Sequence, residues 1–309
     1  MGIEEPIDQE RCKDNNRGVD FLMTRKCPLC GKAVFRKHFT YCPTCSLFVY
    51  RLQNTHLSIQ AKQSVLDYVH KHGYVCYYTG MSLNLKDPKD PWYCVFDHWI
   101  PGDDRRIVLT SFLVNDMKTD LSEDEFWYTI EQLYNFKKYG SKIRKIRLKY
   151  WQGFYRDPEY GPGMMTTLKK KCCICGKLFV VGANNEKYFP ICAEVLSRMR
   201  IKKFPASTIK EVLDYIGKNG YVCYYTGMSL VTRNARSPWY VVLDHWIPGN
   251  PKKVVLTSAL FNCMKTDLTE NEFWCFIEQL YNHRKKHTQV KKKRPVYWYR
   301  LGATCNQAL

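Results

Sequence analysis

The sequence predicts an α+β protein made by tandem duplication, each copy a β-hairpin and helix with helical flanks and a small cysteine module. Three observations predict it. Asp97-His98-Trp99-Ile100-Pro101-Gly102 returns as Asp244-His245-Trp246-Ile247-Pro248-Gly249, at an offset of 147 residues. At that offset, 47 of the 72 residues from Val65 to Phe136 are identical in Val212 to His283, without a gap. Each copy also passes in the same order from β-rich residues to amphipathic helical ones, behind closely spaced cysteines. Self-similarity at a fixed period is the signature of a duplicated structural unit.

Composition bounds the class. At 309 residues the chain has room for two ordinary domains, and 45% hydrophobic with 15% aromatic residues describes a folded chain. The net charge of +19 exceeds what a solvated surface requires, and its self-repulsion opposes compaction, so a polyanionic partner is expected. No stretch is long and apolar enough for a bilayer crossing, and the polar, acidic start reads as no export signal. With 15 cysteines in such a chain, paired thiols are metal candidates before disulfide candidates. An intracellular, soluble, zinc-bearing protein is the expectation, with no membrane and no obligate protein partner.

The elements follow in order. A tail (1–25) leads into Cys27-Pro28-Leu29-Cys30 and Cys42-Pro43-Thr44-Cys45. Two C-x2-C knuckles can set four thiolates tetrahedrally around Zn2+, and Gly31 permits the tight turn, so 26–50 is read as a structural zinc ribbon. A helix over Ile59 to His72 ends at Gly73. Tyr74 to Gly80 is β-rich and ends in a turn, Pro91 to His98 is a second strand and Ile107 to Thr110 a third. The Gly102-Asp103-Asp104 turn joins the last two as a hairpin. A helix from near Ser111 carries Asn115 and Lys118. Ser122 and Glu125 stand in capping-box spacing at the head of the next helix, repeated by Thr269 and Glu272. Phe126, Ile130, Leu133 and Tyr134 form its buried stripe.

Lys137 to Trp151 is then an arm with seven Lys or Arg and no acid, including Arg144, Lys145 and Arg147. Its apolar residues Ile143, Ile146 and Leu148 alternate with the cations, so one face can be pinned while the other meets phosphate. The first unit with its arm spans 59–151, and a linker containing Tyr160 to Gly163 spans 152–170. The second copy opens with Cys172-Cys173-Ile174-Cys175, then Cys192, in a degenerate module over 171–200. Where Cys45 should recur the sequence reads Ala193-Glu194-Val195. Three thiolates are evident there, Cys173 and Glu194 are candidates for a fourth ligand of zinc, and a module without metal stays open. The second unit, 208–298, carries a helix from Ile209 to Asn219. It ends in Lys291, Lys292, Lys293, Arg294, Tyr297 and Trp298, before a short tail (299–309).

The chemistry concentrates at the duplicated Asp-His step. Phosphodiester hydrolysis needs an activated water, a Lewis acid on the phosphate and support for the leaving oxygen. His98 has the ring pKa range of a general base, and Asp97 with Asn115 offers hard oxygen ligands to Mg2+ or Mn2+. Lys118, one helical turn after Asn115, is placed to reach a phosphate. His245, Asp244, Asn262 and Lys265 repeat the set.

At these residues the chain resembles the HNH (ββα-metal) nuclease family, over about 45 residues of each copy. The matching stretches are Cys76 to Gly80, Phe96 to Pro101, Ile107 to Ser111 and Asn115 to Lys118. The resemblance implies His98 and His245 as general bases and Asp97/Asn115 and Asp244/Asn262 as ligands of one divalent ion per copy. It implies a metal-dependent endonuclease acting on DNA, double-stranded or branched. One departure stands out: the family's middle Asn is Arg106 here and Lys253 in the second copy. A basic residue there favours gripping phosphate. The alternative is therefore a nucleic-acid-binding protein, such as a transcription or ribonucleoprotein component, built on inactive domains of this type.

Overall fold

A computed structural model describes residues 25–34, 40–146, 148–151, 169–180, 187–232 and 234–296. Both tails, most of the expected linker, Arg147, Tyr297 and Trp298 lie outside the described residues. The chain divides into two compact units, residues 1–55 and 56–309. Its architecture is α+β, with helices and small two-stranded antiparallel sheets.

In the first unit, β1 (Arg25–Lys26) pairs antiparallel with β2 (Ala33–Val34). The Cys27–Cys30 knuckle lies between them. The Gly31 N–H donates to the Cys27 carbonyl at 2.8 Å with φ of +70°, a conformation glycine adopts without a Cβ clash. The second cysteine pair is not a second knuckle. Cys42 is the N-cap and Pro43 the first residue of helix α1 (Pro43–Gln53), so Cys45 sits in its first turn. Pro suits that position because its missing N–H would have no partner there. Cys45, Phe48, Val49 and Leu52 form the buried side of α1, which continues to Gln53.

In the second unit, α2 (Ile59–His72) is capped by the Ser58 hydroxyl and stopped at Gly73, whose φ is +74°. The run from Tyr74 to Gly80 ends in the expected turn, but its strand part is reduced. Cys76 bonds to Met81 and Gly80 to Cys76, leaving a single bridge between Val75 and Ser82. The hairpin follows as expected, β3 (Cys94–His98) against β4 (Ile107–Ser111), with Asp97 opposite Val108 and His98 opposite Ile107. Ser111 caps α3 (Phe112–Lys118), and Ser122 and Glu125 complete the capping box of α4 (Glu123–Tyr139).

The second copy repeats the order. The hairpin β5 (Lys169–Lys171) and β6 (Leu178–Val180) precedes α5 (Pro190–Ile201) and α6 (Ala206–Asn219), which begins three residues earlier than its apolar pattern suggests. Then come β7 (Val241–His245), β8 (Val254–Ser258), α7 (Ala259–Lys265) and α8 (Glu270–Lys286), with the second capping box at Thr269 and Glu272.

The copies pack on each other through α4 against α8 and α3 against α7. Tyr134 and Tyr281, counterparts at the 147-residue offset, stack face to face at 3.8 Å with their planes 8° apart. Lys137 lies over Trp274 at 5.1 Å, and Arg284 lies over Trp127 at 5.2 Å. These two contacts exchange when the copies are exchanged. Such reciprocity defines a two-fold relation, here within one chain. Buried side chains between Cys76 and Leu148 and between Cys172 and Val290 join one hydrophobic core.

Each basic arm lies along its own copy's last helix. Gln132 accepts from the Arg144 N–H and Gln279 from that of Lys291; Glu125 accepts from Lys149 and Glu272 from Val296. The first arm also reaches the second copy, where the Trp239 indole donates to the Ile146 carbonyl at 3.2 Å. The second arm reaches the first through Lys292 and the Ser82 hydroxyl, at 3.3 Å. No helix among the described residues is long and apolar enough to cross a membrane.

Candidate functional site

The duplicated Asp-His step ends a strand, so its two side chains leave on opposite faces. Asp97 turns inward and is 7% exposed. The Tyr78 hydroxyl donates to its Oδ2 at 2.8 Å and the Lys118 ammonium to its Oδ1 at 3.2 Å. Lys118, itself 1% exposed, also donates to the His98 carbonyl at 2.8 Å. The second copy repeats each contact. Tyr225 donates to Asp244, and Lys265 reaches Asp244 at 3.2 Å and the His245 carbonyl at 3.0 Å. Burial pushes the Asp97 carboxyl above the usual range, opposed in part by the Lys118 charge and the Tyr78 hydroxyl. Burial, then the carboxylate, push Tyr78 up as well, which keeps its hydroxyl a donor.

This corrects the reach assigned to the lysines. Lys118 and Lys265 were expected on a phosphate; both ammonium groups instead close the strand end from inside. The α3 helix is short and docks over β3, so position 118 faces the hairpin and not solvent.

His98 leaves on the other face, with its side chain 39% exposed. Its Nε2 lies 2.8 Å from Asp104 Oδ1. His245 is held differently, by its Nδ1 at 3.0 Å from the Asn250 carbonyl, with the Phe204 ring 5.6 Å away. The difference follows from sequence, since Asp104 aligns with Pro251, which carries no acceptor side chain. Each imidazole has one nitrogen engaged, which selects its tautomer and assigns the other the opposite role.

Asn115 and Asn262 are half-buried, one helical turn before the buried lysines. Mg2+ was expected on Asp97 with Asn115 and on Asp244 with Asn262. As folded, these residues do not fit that ion. Both carboxylate oxygens have donors, and an ammonium sits on the carboxylate where a cation would bind. Mg2+ also keeps most of its water shell, which a fully buried carboxylate leaves no room for.

Arg106 and Lys253, in place of the middle Asn, are exposed and lie over the indoles of the Asp-His-Trp step. Arg106 stacks on Trp99 and Lys253 on Trp246, the latter at 4.5 Å. The neighbouring backbone extends the hairpin, with the Trp99 N–H on the Arg106 carbonyl and the Trp246 N–H on that of Lys253. Cation–π contact fixes these groups at the hairpin end while leaving their N–H donors open to solvent.

On the arms, Arg144, Lys145, Lys291, Lys292, Lys293 and Arg294 are all exposed. Leu148, Val290 and Pro295 are buried, and Ile143, Ile146 and Trp151 are partly buried against the core. The alternation expected of the arm is therefore realised, with cations outward. Trp151 at the end of the first arm packs against that core as well.

Among the described residues, seven cysteines form two clusters that can hold a metal, compatible with zinc. Sulfur atoms of Cys27, Cys30, Cys42 and Cys45 lie within 4.8 Å of one another, as do those of Cys172, Cys175 and Cys192. Burial opposes charge on Cys27, but N–H donors from Cys42, Cys30 and Leu29 outweigh it and bring the thiol down to about 6. Cys27 is thereby held toward the thiolate form that binds a metal ion, while burial pushes the Cys30 thiol up. The alignment of the second module needs correcting. Cys192 sits in the first turn of α5 behind Pro190, as Cys45 does behind Pro43. The missing ligand is thus the counterpart of Cys42, replaced by Phe189, not that of Cys45. The fixed offset already held this signal, since it carries Pro43 onto Pro190 and Cys45 onto Cys192. Glu194 is no ligand here, because it accepts from Tyr240 at 3.1 Å and pairs with Arg198. Cys173 is exposed, its sulfur 3.7 Å from the Lys187 carbonyl.

Comparison with protein-family models, with curated proteins and with solved structures finds no match to this chain.

Proposed function

We propose that this chain is a nucleic-acid-binding protein built on two HNH-type units, with zinc in the four-cysteine cluster and double-stranded or branched DNA as its partner. The observation that carries the reading is the placement of the arms. Apolar residues anchor each arm while Arg144, Lys145 and Lys291 to Arg294 face solvent. A net charge of +19 supplies the long-range attraction. Arg106 and Lys253, stacked on Trp99 and Trp246, add a fixed cation at each hairpin end. The closed Asp97–Lys118 and Asp244–Lys265 pairs favour binding over turnover, because the acid each copy would lend to a metal is already neutralised.

Phosphate-dominated binding makes log affinity fall with log salt, by about 0.9 per phosphate neutralised. Anisotropy of a labelled duplex should lose roughly a thousandfold in affinity between about 50 and about 200 mM salt, for about six phosphates. A salt-independent affinity would rule the reading out.

A second reading, a metal-dependent endonuclease, is favoured by one feature. His98 and His245 each have one ring nitrogen engaged and the other available, the preparation a general base requires. Supercoiled plasmid incubated with Mg2+ or Mn2+, with and without chelator, separates the two. Chelator-sensitive nicking that disappears in the double variant His98→Ala/His245→Ala supports the enzyme. Retained binding without nicking under either metal supports the binding protein.

A further inference from the structure

We propose that the second cysteine module holds one zinc ion through the sulfur atoms of Cys172, Cys175 and Cys192 and the phenol oxygen of Tyr221. The backbone there repeats that of the four-cysteine module. Cys172 donates to the Lys177 carbonyl and Gly176 to the Cys172 carbonyl, both at 2.9 Å, as Cys27 does to Lys32 and Gly31 to Cys27. Gly176 has φ of +68° against +70° for Gly31. Cys192 enters from a helix start opened by proline, as Cys45 does. Three corners of a tetrahedron are therefore built alike in both modules.

The fourth corner is the one that Cys42 fills in the first module and Phe189 vacates here. Glu194 and Cys173 are directed elsewhere. What approaches the cluster is Tyr221, 5% exposed, whose hydroxyl lies 2.8 Å from the Cys192 sulfur. A phenol buried beside a thiol has a weak acceptor as its partner, a poor return for desolvating it. Bonds to zinc of about 2.3 Å from sulfur and about 2.0 Å from oxygen, at a tetrahedral angle, separate the two ligand atoms by about 3.5 Å. The hydroxyl and the sulfur thus part by well under 1 Å to share an ion. Lys177, its ammonium 5.9 Å from the Tyr221 ring, offsets the negative charge that three thiolates and a phenolate leave on one Zn2+. Loading displaces the three thiol protons and the phenol proton to solvent.

The test uses the whole chain. Native mass spectrometry of the zinc-loaded protein should count two zinc ions, and Cys192→Ser should count one. X-ray absorption at the zinc edge should average seven sulfur and one oxygen neighbours over the two ions, since the clusters hold four and three cysteines. Tyr221→Phe should retain the second ion but release it roughly tenfold more readily to a competing chelator. It should also shift the visible bands of the cobalt-substituted site. One zinc per chain in the wild type overturns the site. Two zinc ions with chelator release and cobalt bands unchanged by Tyr221→Phe overturn the phenol as a ligand. If Tyr221→Phe does not fold, the zinc count and the absorption spectrum of the wild type still decide whether the three-thiolate site exists.

Discussion

Lys118 is the residue on which the reading of each Asp-His step turns. Its ammonium satisfies a buried carboxylate and a strand-end carbonyl together, a distribution of donors that only a fully inserted lysine achieves. Removing one partner of a buried pair leaves the other charge unpaired in a medium that solvates it poorly, and costs about 3–5 kcal/mol. Lys118→Met should therefore lower the denaturant midpoint by an amount of that order, and Lys265→Met should do the same in the second copy. The double change Asp97→Asn/Lys118→Met removes both charges and should recover most of the loss. A cost below about 1 kcal/mol for Lys118→Met would show that the carboxylate opens to water easily, and the closed strand end would no longer speak against turnover.

Past Tyr139, where α4 ends, and past Lys286, where α8 ends, the described arm residues form no regular secondary structure and are held by side chains of the helices they run along. Gln132 and Gln279, and Glu125 and Glu272, each accept one arm N–H, so the arm is fixed through its backbone while its described cations face solvent. Replacing Lys142, Arg144 and Lys145 with Gln should leave the melting temperature nearly unchanged, because all three are exposed. It should also reduce the salt slope of DNA binding by about 1 for each phosphate that these side chains neutralise. An unchanged slope would move the nucleic-acid interface elsewhere. At this scale the sequence was informative wherever the determinant is local. The hairpin, the Ser111 cap, the two capping boxes and the stop at Gly73 depend on residues within a few positions of each other. It was uninformative where the partner is distant. Nothing local tells that Trp239 donates to Ile146, that Lys118 turns inward, or that Tyr221 approaches Cys192. The turn read at the end of Tyr74 to Gly80 is present, closed by Cys76 and Gly80, but the strand expected before it shrinks to one bridge at Val75, because residues with strand propensity also occur in turns.

The two copies share one core across a two-fold relation, and that has a consequence for how the second unit unfolds. Tyr134 and Tyr281 meet each other directly, so neither ring can leave without exposing its counterpart. Lys137 over Trp274 and Arg284 over Trp127 tie the same two helices on either side. Copies joined this way should not melt separately. All eight tryptophans lie in residues 56–309, none in the unit that carries the four-cysteine cluster, so indole fluorescence reports on the paired copies alone. Urea unfolding followed by that signal should give a single transition. Chelation of zinc from the four-cysteine cluster should abolish the far-ultraviolet signal of α1 without shifting that transition to zero denaturant. Tyr134→Ala and Tyr281→Ala should each move the whole transition to lower urea. Their double-mutant cycle should show a coupling of about 0.5–1.5 kcal/mol, the range for a stacked aromatic pair. Two resolved transitions, or additive single effects, would mean that the copies touch without cooperating. The two-fold arrangement would then not act as one platform for a partner that itself has two strands.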